Sequence, residues 1–535
     1  MNNDSPPVSS DRKVAEDADA RSEIQEYLEV SQEQHKLFPR AVLVGICAGG
    51  MAVIFRGFLA GSDLLRNRLI EWSYGLPMVG WIIPMLFCAT GAVVAVALVM
   101  RFAPETAGSG IPHLKGVLHR LRDLAWGRVL WVKLTSGIFA IGGGLALGRE
   151  GPSVHMGGAV ADGIARGLKL SAQDRLTLTA AGAGAGLAAA FNAPLSGLVF
   201  ILEEVQRDFR PAVFGAAFLA AATADVVSRS VSGQLPVFTV PYYAMPPLTA
   251  LPAFAVLGVV AGALGVWFNR GLLATMNRFD GLPLGKFTVG AMVGAITGLV
   301  AWFLPDAVGG GHLLAEDVLT GRMVLSVVPL MFLLRFGLTV SSYGIGTAGG
   351  IFAPLLGLGA MLGLGIGHVA HEFIPDIVAE PGVFSVVGMA AYFTAIVRAP
   401  LTGVLLITEM TGSYEQMLPL LVSSFCAYGV AEYLRDVPIY EALLNRDLER
   451  GGVPQIHREP IIVEFEVAPN ASFVGKALRQ LGLPSGCVLV RCFLDGREWV
   501  PTAETRMEPH MRITAVIAPQ AKGGHERLRR GCAPR

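Results

Sequence analysis

The sequence predicts an all-α polytopic membrane protein that carries a small α+β domain at its carboxyl end. Of its 535 residues, 53% are hydrophobic and 16% are charged, whereas soluble proteins carry about 25% charged residues. Residues 176–202, 230–269 and 336–371 contain no Asp, Glu, Lys or Arg, and about 20 apolar residues suffice to cross a bilayer. After Tyr440 the sequence becomes polar and then alternates apolar and polar residues, which is typical of strands.

These changes in composition divide the chain into five segments. The acidic N-terminus has no basic region followed by an apolar run, so it does not resemble a secretory signal peptide. The segments are a cytosolic N-terminal segment at 1–37 with a surface helix near 20–36, a transmembrane domain at 38–448 with halves of about 38–230 and 245–448, a linker at 449–458, a small domain at 459–519 and a disordered basic tail at 520–535. Within the small domain, residues 472–482 are predicted to form a short helix, and Asp495-Gly496 indicates a hairpin.

An internal repeat links the two halves of the transmembrane domain. Residues 182–203 align without gaps to 388–409, with nine of 22 positions identical, including the APLxG core. The sequence GREGP at 148–152 shares its GxxxP frame with GIFAP at 350–354. Duplicated halves with interrupted helices in corresponding positions indicate a binding site near the middle of the membrane.

Three glycine–proline sequences predict helices that begin inside the membrane: GSGIP (108–112), GREGP (148–152) and GGIFAP (349–354). The first N–H groups of such helices lack intrahelical partners, and each helix start carries about half a positive charge. Several starts that point to one place therefore form an anion site without a cationic side chain. Glu150 lies within one of these starts, and an intramembrane charge is a functional candidate.

Together with Tyr440 in VPIYEALL, these motifs resemble the CLC family of chloride channels and chloride/proton antiporters over about residues 20–448. The resemblance implies a homodimer with one pore per subunit and roughly eighteen helices in two inverted halves. It implies that the Ser109 hydroxyl and the Tyr440 phenol bind chloride. It also implies that backbone N–H groups line the anion path at Arg149, Glu150, Gly151, Ile351, Phe352 and Ala353.

By the same resemblance, Glu150 is the gating glutamate, which competes with chloride for these donors, and Glu204 is the internal proton-transfer glutamate. From the residues alone, Glu150 has a salt bridge with Arg149 or Lys133 as its alternative, and Glu204 has a pair with Arg207 or Arg210. In the repeat, Glu203 matches Glu409 but Glu204 matches Met410. We therefore expect a structural role for Glu203 and proton transfer for Glu204, with Lys133 in a supporting position.

The small domain resembles the TrkA-C type through VGKALRQLGLP and VPTAETRMEPHMRITAV. That resemblance implies regulation, dimer support or a small-molecule ligand, although His510-Met511 replaces the usual Gly-Asp. The net charge of zero gives no case for nucleic acid. The sequence contains no HExxH or GxSxG motif, so an enzyme is not expected, and neither a cofactor nor a metal is expected.

The sequence thus predicts chloride transport in a bilayer, coupled to protons. A passive voltage- or pH-gated chloride channel on the same fold is the alternative, and a membrane ion sensor working through residues 459–519 is a third hypothesis. We expect a multi-pass protein of a bacterial-type inner membrane with both termini in the cytoplasm.

Overall fold

The computed structural model describes residues 10–76, 78–207, 209–450, 461–518, 521 and 523–533, and only the backbone of residues 10–35 and 461. The chain forms two compact units, residues 1–444 and 445–535. The expected surface helix near 20–36 lies where only the backbone is described, and most of the expected linker at 449–458 lies outside the described residues.

Among the described residues, the regular secondary structure of the first unit is helical, apart from the isolated bridges Gly108–Ala348 and Gly148–Gly350. Its helices are α1 (Ser10–Ser73), α2 (Ile82–Phe102), α3 (Ile111–Leu118), α4 (Trp126–Gly137), α5 (Glu150–Gly167), α6 (Ala172–Phe191), α7 (Pro194–Phe200), α8 (Pro211–Ser232), α9 (Leu251–Gly281), α10 (Lys286–Phe303), α11 (His312–Leu319), α12 (Val328–Gly344), α13 (Phe352–Phe373), α14 (Gly382–Val397), α15 (Pro400–Thr411), α16 (Met417–Tyr433) and α17 (Ile439–Arg450). Short π-helical turns follow α4 at Ile138–Gly142 and α7 at Ile201–Val205.

Among the described residues, seven helical segments are long and apolar enough to cross a membrane. Three more apolar helices, α14, α15 and α16, have only 10–17 residues. Short and interrupted helices are tolerated at membrane depth when other parts of the protein surround them. The helix α14 fits this condition because almost all its side chains, from Val383 to Val397, are buried. The predicted polytopic fold with broken helices is confirmed.

The two halves repeat the same local packing. Helices α5, α6 and α7 correspond to α13, α14 and α15 in the aligned sequences. A Cβ atom on Gly157 would lie 2.2 Å from the Gly182 carbonyl oxygen, and one on Gly359 would lie 2.5 Å from the Gly388 carbonyl oxygen. Since these four glycines occupy matching repeat positions, the same close helix contact is built twice.

Helices α7 and α15 show that the two halves are inverted. The Glu203 carboxylate, just after α7, accepts hydrogen bonds from Leu401 N and Thr402 N at the start of α15, at 3.0 and 2.7 Å. The Glu409 carboxylate, near the end of α15, accepts hydrogen bonds from Leu195 N and Ser196 N at the start of α7, at 3.1 and 2.8 Å. Each helix end therefore meets the other helix's start, so the pair is antiparallel.

The second unit contains the antiparallel strands β1 (Ile461–Glu466), β2 (Cys487–Leu494), β3 (Arg497–Trp499) and β4 (Arg512–Ile517), in the order β1-β4-β2-β3. Its core includes Val467, Leu489, Ile513 and Leu528. The Asp495-Gly496 hairpin is confirmed, because β2 and β3 pair directly across it from Leu494 to Arg497. Burial raises the pKa of the Cys532 thiol to about 11, which agrees with a packing role.

Two expectations for this unit are wrong. Residues 472–482 form turns with a single 3₁₀ turn at Leu478–Gln480 rather than a helix, because Leu478 N and Arg479 N donate to carbonyl groups of Thr505 and Ala503. Within the tail predicted to be disordered, Gly524–Cys532 form helix α18. Leu528 and Cys532 of that helix are buried in the core of the domain, and this burial stabilises the helix.

Candidate functional site

The three predicted helix starts lie side by side. Helix α5 begins at Glu150 and α13 begins at Phe352. The loops before these helices exchange two hydrogen bonds, from Gly148 N to Gly350 O at 2.6 Å and from Gly350 N to Gly148 O at 2.8 Å. These bonds fix the two starts next to each other, so their unpaired N–H groups share one region.

The GSGIP loop joins the same region. Gly108 N donates to Thr347 O at 2.8 Å, and Gly349 N donates to Gly108 O at 3.0 Å. Gly110 precedes α3 with φ at 83°, and a Cβ atom there would lie 2.1 Å from the His155 ring. A left-handed conformation and this close approach both require glycine. The starts of α3, α5 and α13 thus lie next to one another.

Lys133 supports the GSGIP loop and does not pair with Glu150. Its ammonium group is fully buried and donates to Thr106 O at 2.8 Å and to Gly108 O at 2.7 Å. A buried cation is stabilised by such carbonyl oxygens. The supporting position expected for Lys133 therefore has a physical basis in this loop.

Ser109 is fully buried against the start of α5, where a Cβ atom on Gly151 would lie 2.7 Å from Ser109 Cβ. Its Oγ accepts a bond from Ile111 N at 3.3 Å, and its backbone N donates to the Tyr343 hydroxyl, also at 3.3 Å. The bond from Ile111 is local, but the N-cap of α3 is Gly110, so the helix-capping role that serine alone would predict is not seen at Ser109. The hydroxyl hydrogen is still available to an anion.

The Tyr440 hydroxyl is fully buried and has no hydrogen-bond partner among the described residues. It lies within electrostatic range of Tyr343, Glu204 and Glu150. Buried hydroxyl groups almost always have a partner. Tyr440 thus presents an unpartnered donor near both glutamates.

The Glu150 carboxylate is fully buried at the start of α5. A Cβ atom on Gly148 would lie 2.3 Å from Glu150 Oε2 and 3.0 Å from Ala353 N, which places the carboxylate beside the start of α13. Neither carboxylate oxygen has a hydrogen-bond partner among the described residues. The salt bridge with Arg149, which was the alternative to a gating role, is only a long contact of 3.9 Å from Nε to Oε1.

The backbone N–H groups of Ile351, Phe352 and Ala353 lie at the start of α13, and all three residues are buried. The Phe352 ring packs against Phe191, Phe200 and Phe393 at centroid distances of 4.7–5.8 Å. This aromatic packing holds the helix start in place and excludes water from one of its sides.

Glu203 and Glu204 lie in the π-helical turn after α7 and make different contacts. Glu203 caps α15, whereas Glu204 is fully buried and its Oε1 lies 2.8 Å from Lys115 Nζ. Arg207 is 3.8 Å from Glu204 Oε2 and also pairs with Glu441, which lies 3.4 Å from Lys115. The pairing predicted with Arg207 is thus secondary, and Lys115 is the main partner.

Sequence reasoning missed His312. Its Nε2 lies 3.3 Å from Glu150 Oε1, closer than Arg149 Nε, which lies 3.9 Å from the same oxygen. A signal exists in the repeat, because GGGH at 309–312 follows the frame of GSGI at 108–111. Gly309 and Gly311 have φ of 69° and 81°, close to the 64° and 83° of Gly108 and Gly110. Helix α11 is therefore the counterpart of α3.

The fold and this site define a multi-span membrane protein of two inverted halves whose broken helices meet at one buried region. Residues 90–432 match the family model described as voltage gated chloride channel, and residues 462–521 match the TrkA-C domain model. The chain belongs to this CLC family and carries a C-terminal TrkA-C domain.

Relatives and solved structures agree with this assignment. The chain is 39% identical to the H(+)/Cl(-) exchange transporter ClcA of Vibrio parahaemolyticus over 422 residues, which is 78% of this chain and 90% of the relative. It is 35% identical to ClcA of Yersinia pestis over 82% of this chain and 92% of the relative. A slow cyanobacterial Cl−/H+ antiporter superposes with a TM-score of 0.75 at 35% identity, covering 77% of this chain and 98% of that chain.

Proposed function

We propose that the protein exchanges chloride for protons across a membrane. The relatives named above as H(+)/Cl(-) exchange transporters, and the solved Cl−/H+ antiporter, support this proposal. The observation that carries it is the buried Glu150 carboxylate, which lies at two helix starts without a hydrogen-bond partner among the described residues. A carboxylate in that position occupies a binding position for an anion. When the carboxylate is protonated, its side chain can move out of that position.

Chloride, the transported substrate, is held by donors that carry no formal charge. The N–H groups at Gly151, Ile351, Phe352 and Ala353 contribute the positive ends of α5 and α13. The hydroxyl groups of Ser109 and Tyr440 complete the set. Uncharged donors bind the anion without the tight pairing of a buried cation, so the anion can also leave.

In this proposal, Glu150 and Glu204 each bind the transported proton, one at either end of its path through the protein. Protonation of Glu150 removes its charge and its competition with chloride for the helix starts. Glu204 lies in the same unit, and Tyr440 is within electrostatic range of both carboxylates. Proton movement between the two glutamates would then be linked to anion movement past Tyr440.

Uphill transport tests this function. Purified protein is reconstituted in vesicles with a chloride gradient, equal pH on both sides and a potassium clamp on the membrane potential. The expected result is proton movement against the pH gradient that it creates, measured with a pH electrode together with chloride flux. Chloride flux without proton movement would leave the passive channel as the function.

One observation favours that second candidate. The ion pair between Lys115 and Glu204 buries both side chains at 2.8 Å. Breaking a buried pair costs several kcal/mol, of the order of 3–5. If the pair holds Glu204 permanently charged, protons cannot pass through it, and the fold would work as a passive channel.

We further propose a homodimer with one pore per subunit, in a bacterial inner membrane with both termini in the cytoplasm. The membership in the CLC family supports the dimer, and the bacterial relatives support the location. The TrkA-C domain is proposed to support the dimer or to bind a small regulatory molecule. Cross-linking of the purified protein in lipid is expected to give a dimer band, and only monomer would contradict it.

A further inference from the structure

A cavity of about 240 Å³ lies beside Glu150, outside the anion site described above. It is lined by side chains from α1, from the π-helical turn after α4 and from α11, and by residues that precede α5 and α9. The polar members of this lining are Arg56, Asp63, Arg149, His312 and Glu316, and the apolar members include Leu59, Ile141, Val237 and Phe238. The Asp63 side chain is 43% exposed, so the cavity reaches the protein surface.

His312 joins this cavity to Glu150. It is the first residue of α11, after the left-handed Gly311. Its Nε2 atom is buried 3.3 Å from Glu150 Oε1, yet 27% of its side chain is exposed. The Phe238 ring lies 5.9 Å from the imidazole ring and closes another side. The Nε2 edge of the ring therefore contacts the carboxylate, and another part of the ring lines the cavity.

Glu150 has no other comparable route to the cavity among the described residues. Its side chain is fully buried, while Arg149, its other polar neighbour, is 3.9 Å away. A guanidinium group stays protonated in proteins, so it cannot pass protons on. Imidazole gains and loses a proton between pH 5 and 8.

We propose that His312 carries protons between this cavity and the Glu150 carboxylate, a role that rests on the proposed exchange function. In one direction, imidazolium Nε2–H breaks its N–H bond as an O–H bond forms on Glu150 Oε1. The neutral ring, now protonated only at Nδ1, then rotates so that its free Nε2 takes up a proton from hydronium in the cavity. The opposite direction reverses both steps. The contact of 3.3 Å is within a small adjustment of a hydrogen bond.

The charges around the ring suit a group that changes protonation. Glu150 faces it from the first position of α5 and Arg149 from the residue before that helix. Arg56 and Asp63 face it from α1, and Glu316 faces it from its own helix. Arg66 in turn pairs with Asp63 at 2.7 Å. Positively and negatively charged side chains both lie near the ring, so their combined field excludes neither the neutral nor the protonated imidazole.

The first test replaces His312 in full-length protein reconstituted in vesicles. His312→Ala and His312→Gln are expected to slow coupled chloride and proton flux in parallel by about ten- to a hundredfold, at or below the low end for a positioned acid–base group. The ratio of protons to chloride is expected to stay unchanged because Glu150 remains. In the Glu150→Gln background, His312→Gln is expected to have no further effect on chloride flux.

The second test adds imidazole, which the cavity has room to admit. Imidazole is expected to restore flux in His312→Ala, most strongly near the pH at which both of its forms are present. His368→Ala, a histidine on α13 away from the cavity lining, is the matched control and is expected to be neither slowed nor rescued. If the alanine variant does not fold, the glutamine variant and its pH profile still decide the matter.

Failure of this role and failure of the exchange function give different results. Wild-type protein that moves no protons would overturn the exchange function. Wild-type coupling with full flux in His312→Ala, or slowing by His312→Gln in the Glu150→Gln background, or absence of imidazole rescue, would overturn the role of His312 and leave exchange intact.

Discussion

At the scale of single residues, the neighbouring acids Glu203 and Glu204 show how the same side chain serves two purposes. Both lie in one π-helical turn, a feature frequent at functional sites. Glu203 bonds to backbone N–H groups of α15, and Glu204 lies buried against Lys115. The repeat indicated this division, because Glu203 has the partner Glu409 whereas Glu204 is matched by Met410.

We predict that Glu204→Gln lowers the ratio of protons to chloride transported, because an amide cannot carry a proton at this position. Lys115 keeps Glu441 at 3.4 Å as a counter-charge, so the variant is expected to fold. The measurement is simultaneous chloride and proton flux from vesicles. Glu203→Gln is the matched control and is expected to keep the ratio, and an equal loss in both variants would contradict the assignment.

Two histidines show what can and cannot be predicted from the sequence at the scale of single residues. His510 stands where the TrkA-C pattern usually has glycine, and its φ of 63° is the conformation that glycine favours. His312 went unnoticed because its contact with Glu150 joins residues far apart in the sequence. The one sequence feature that indicates a role for His312 is the glycine spacing that GGGH (309–312) shares with GSGI (108–111).

At the scale of elements, the reciprocal capping of α7 and α15 ties the two halves together. Each carboxylate also accepts a hydroxyl bond, Glu203 from Thr402 and Glu409 from Ser196. Hydrogen bonds to charged groups contribute about 1.5–3 kcal/mol each, more than neutral ones. The matching geometry of the two caps follows from the repeat and fixes the two short helices against each other.

We predict that Glu203→Gln and Glu409→Gln each lower thermal stability by a similar amount, about 1–2 kcal/mol, because each removes a charged cap from a helix start. The measurement is the melting temperature of the detergent-solubilised protein. Glu71→Gln on the exposed surface of α1 is the control and is expected to leave it unchanged. A strong loss in one variant alone would contradict equivalent roles.

Helix starts were predictable from sequence because glycine and proline act locally, whereas the small domain was less predictable. Residues 472–482 have helical spacing of apolar side chains, yet their N–H groups bond to the 502–507 segment. Residues 524–532 are mostly polar, but the Leu528 side chain is buried in the core of the domain. In both cases tertiary contacts overrode local preference.

At the scale of the whole molecule, every candidate transport residue lies in the unit formed by residues 1–444, and the TrkA-C domain is a separate unit. The sequence predicted this division from the change in composition after Tyr440. The inverted relation of the halves, however, was established by the contacts between α7 and α15, and these contacts cannot be predicted from the sequence alone.

We predict that deletion of residues 452–535 leaves chloride–proton coupling intact, because α17 and Tyr440 precede the cut. The truncated protein is expected to form a less stable dimer in detergent, measured by size-exclusion chromatography with light scattering. Unchanged flux, dimer stability and ion response would remove any regulatory or dimer-supporting role of the TrkA-C domain.

Simultaneous chloride and proton flux from vesicles containing wild-type protein or Glu150→Ala tests the central claim most directly. Removal of the tethered carboxylate leaves the helix starts open to chloride and removes the group that links anion and proton movement. We predict that Glu150→Ala still passes chloride but no longer drives protons uphill. Proton coupling retained in Glu150→Ala would contradict the claim.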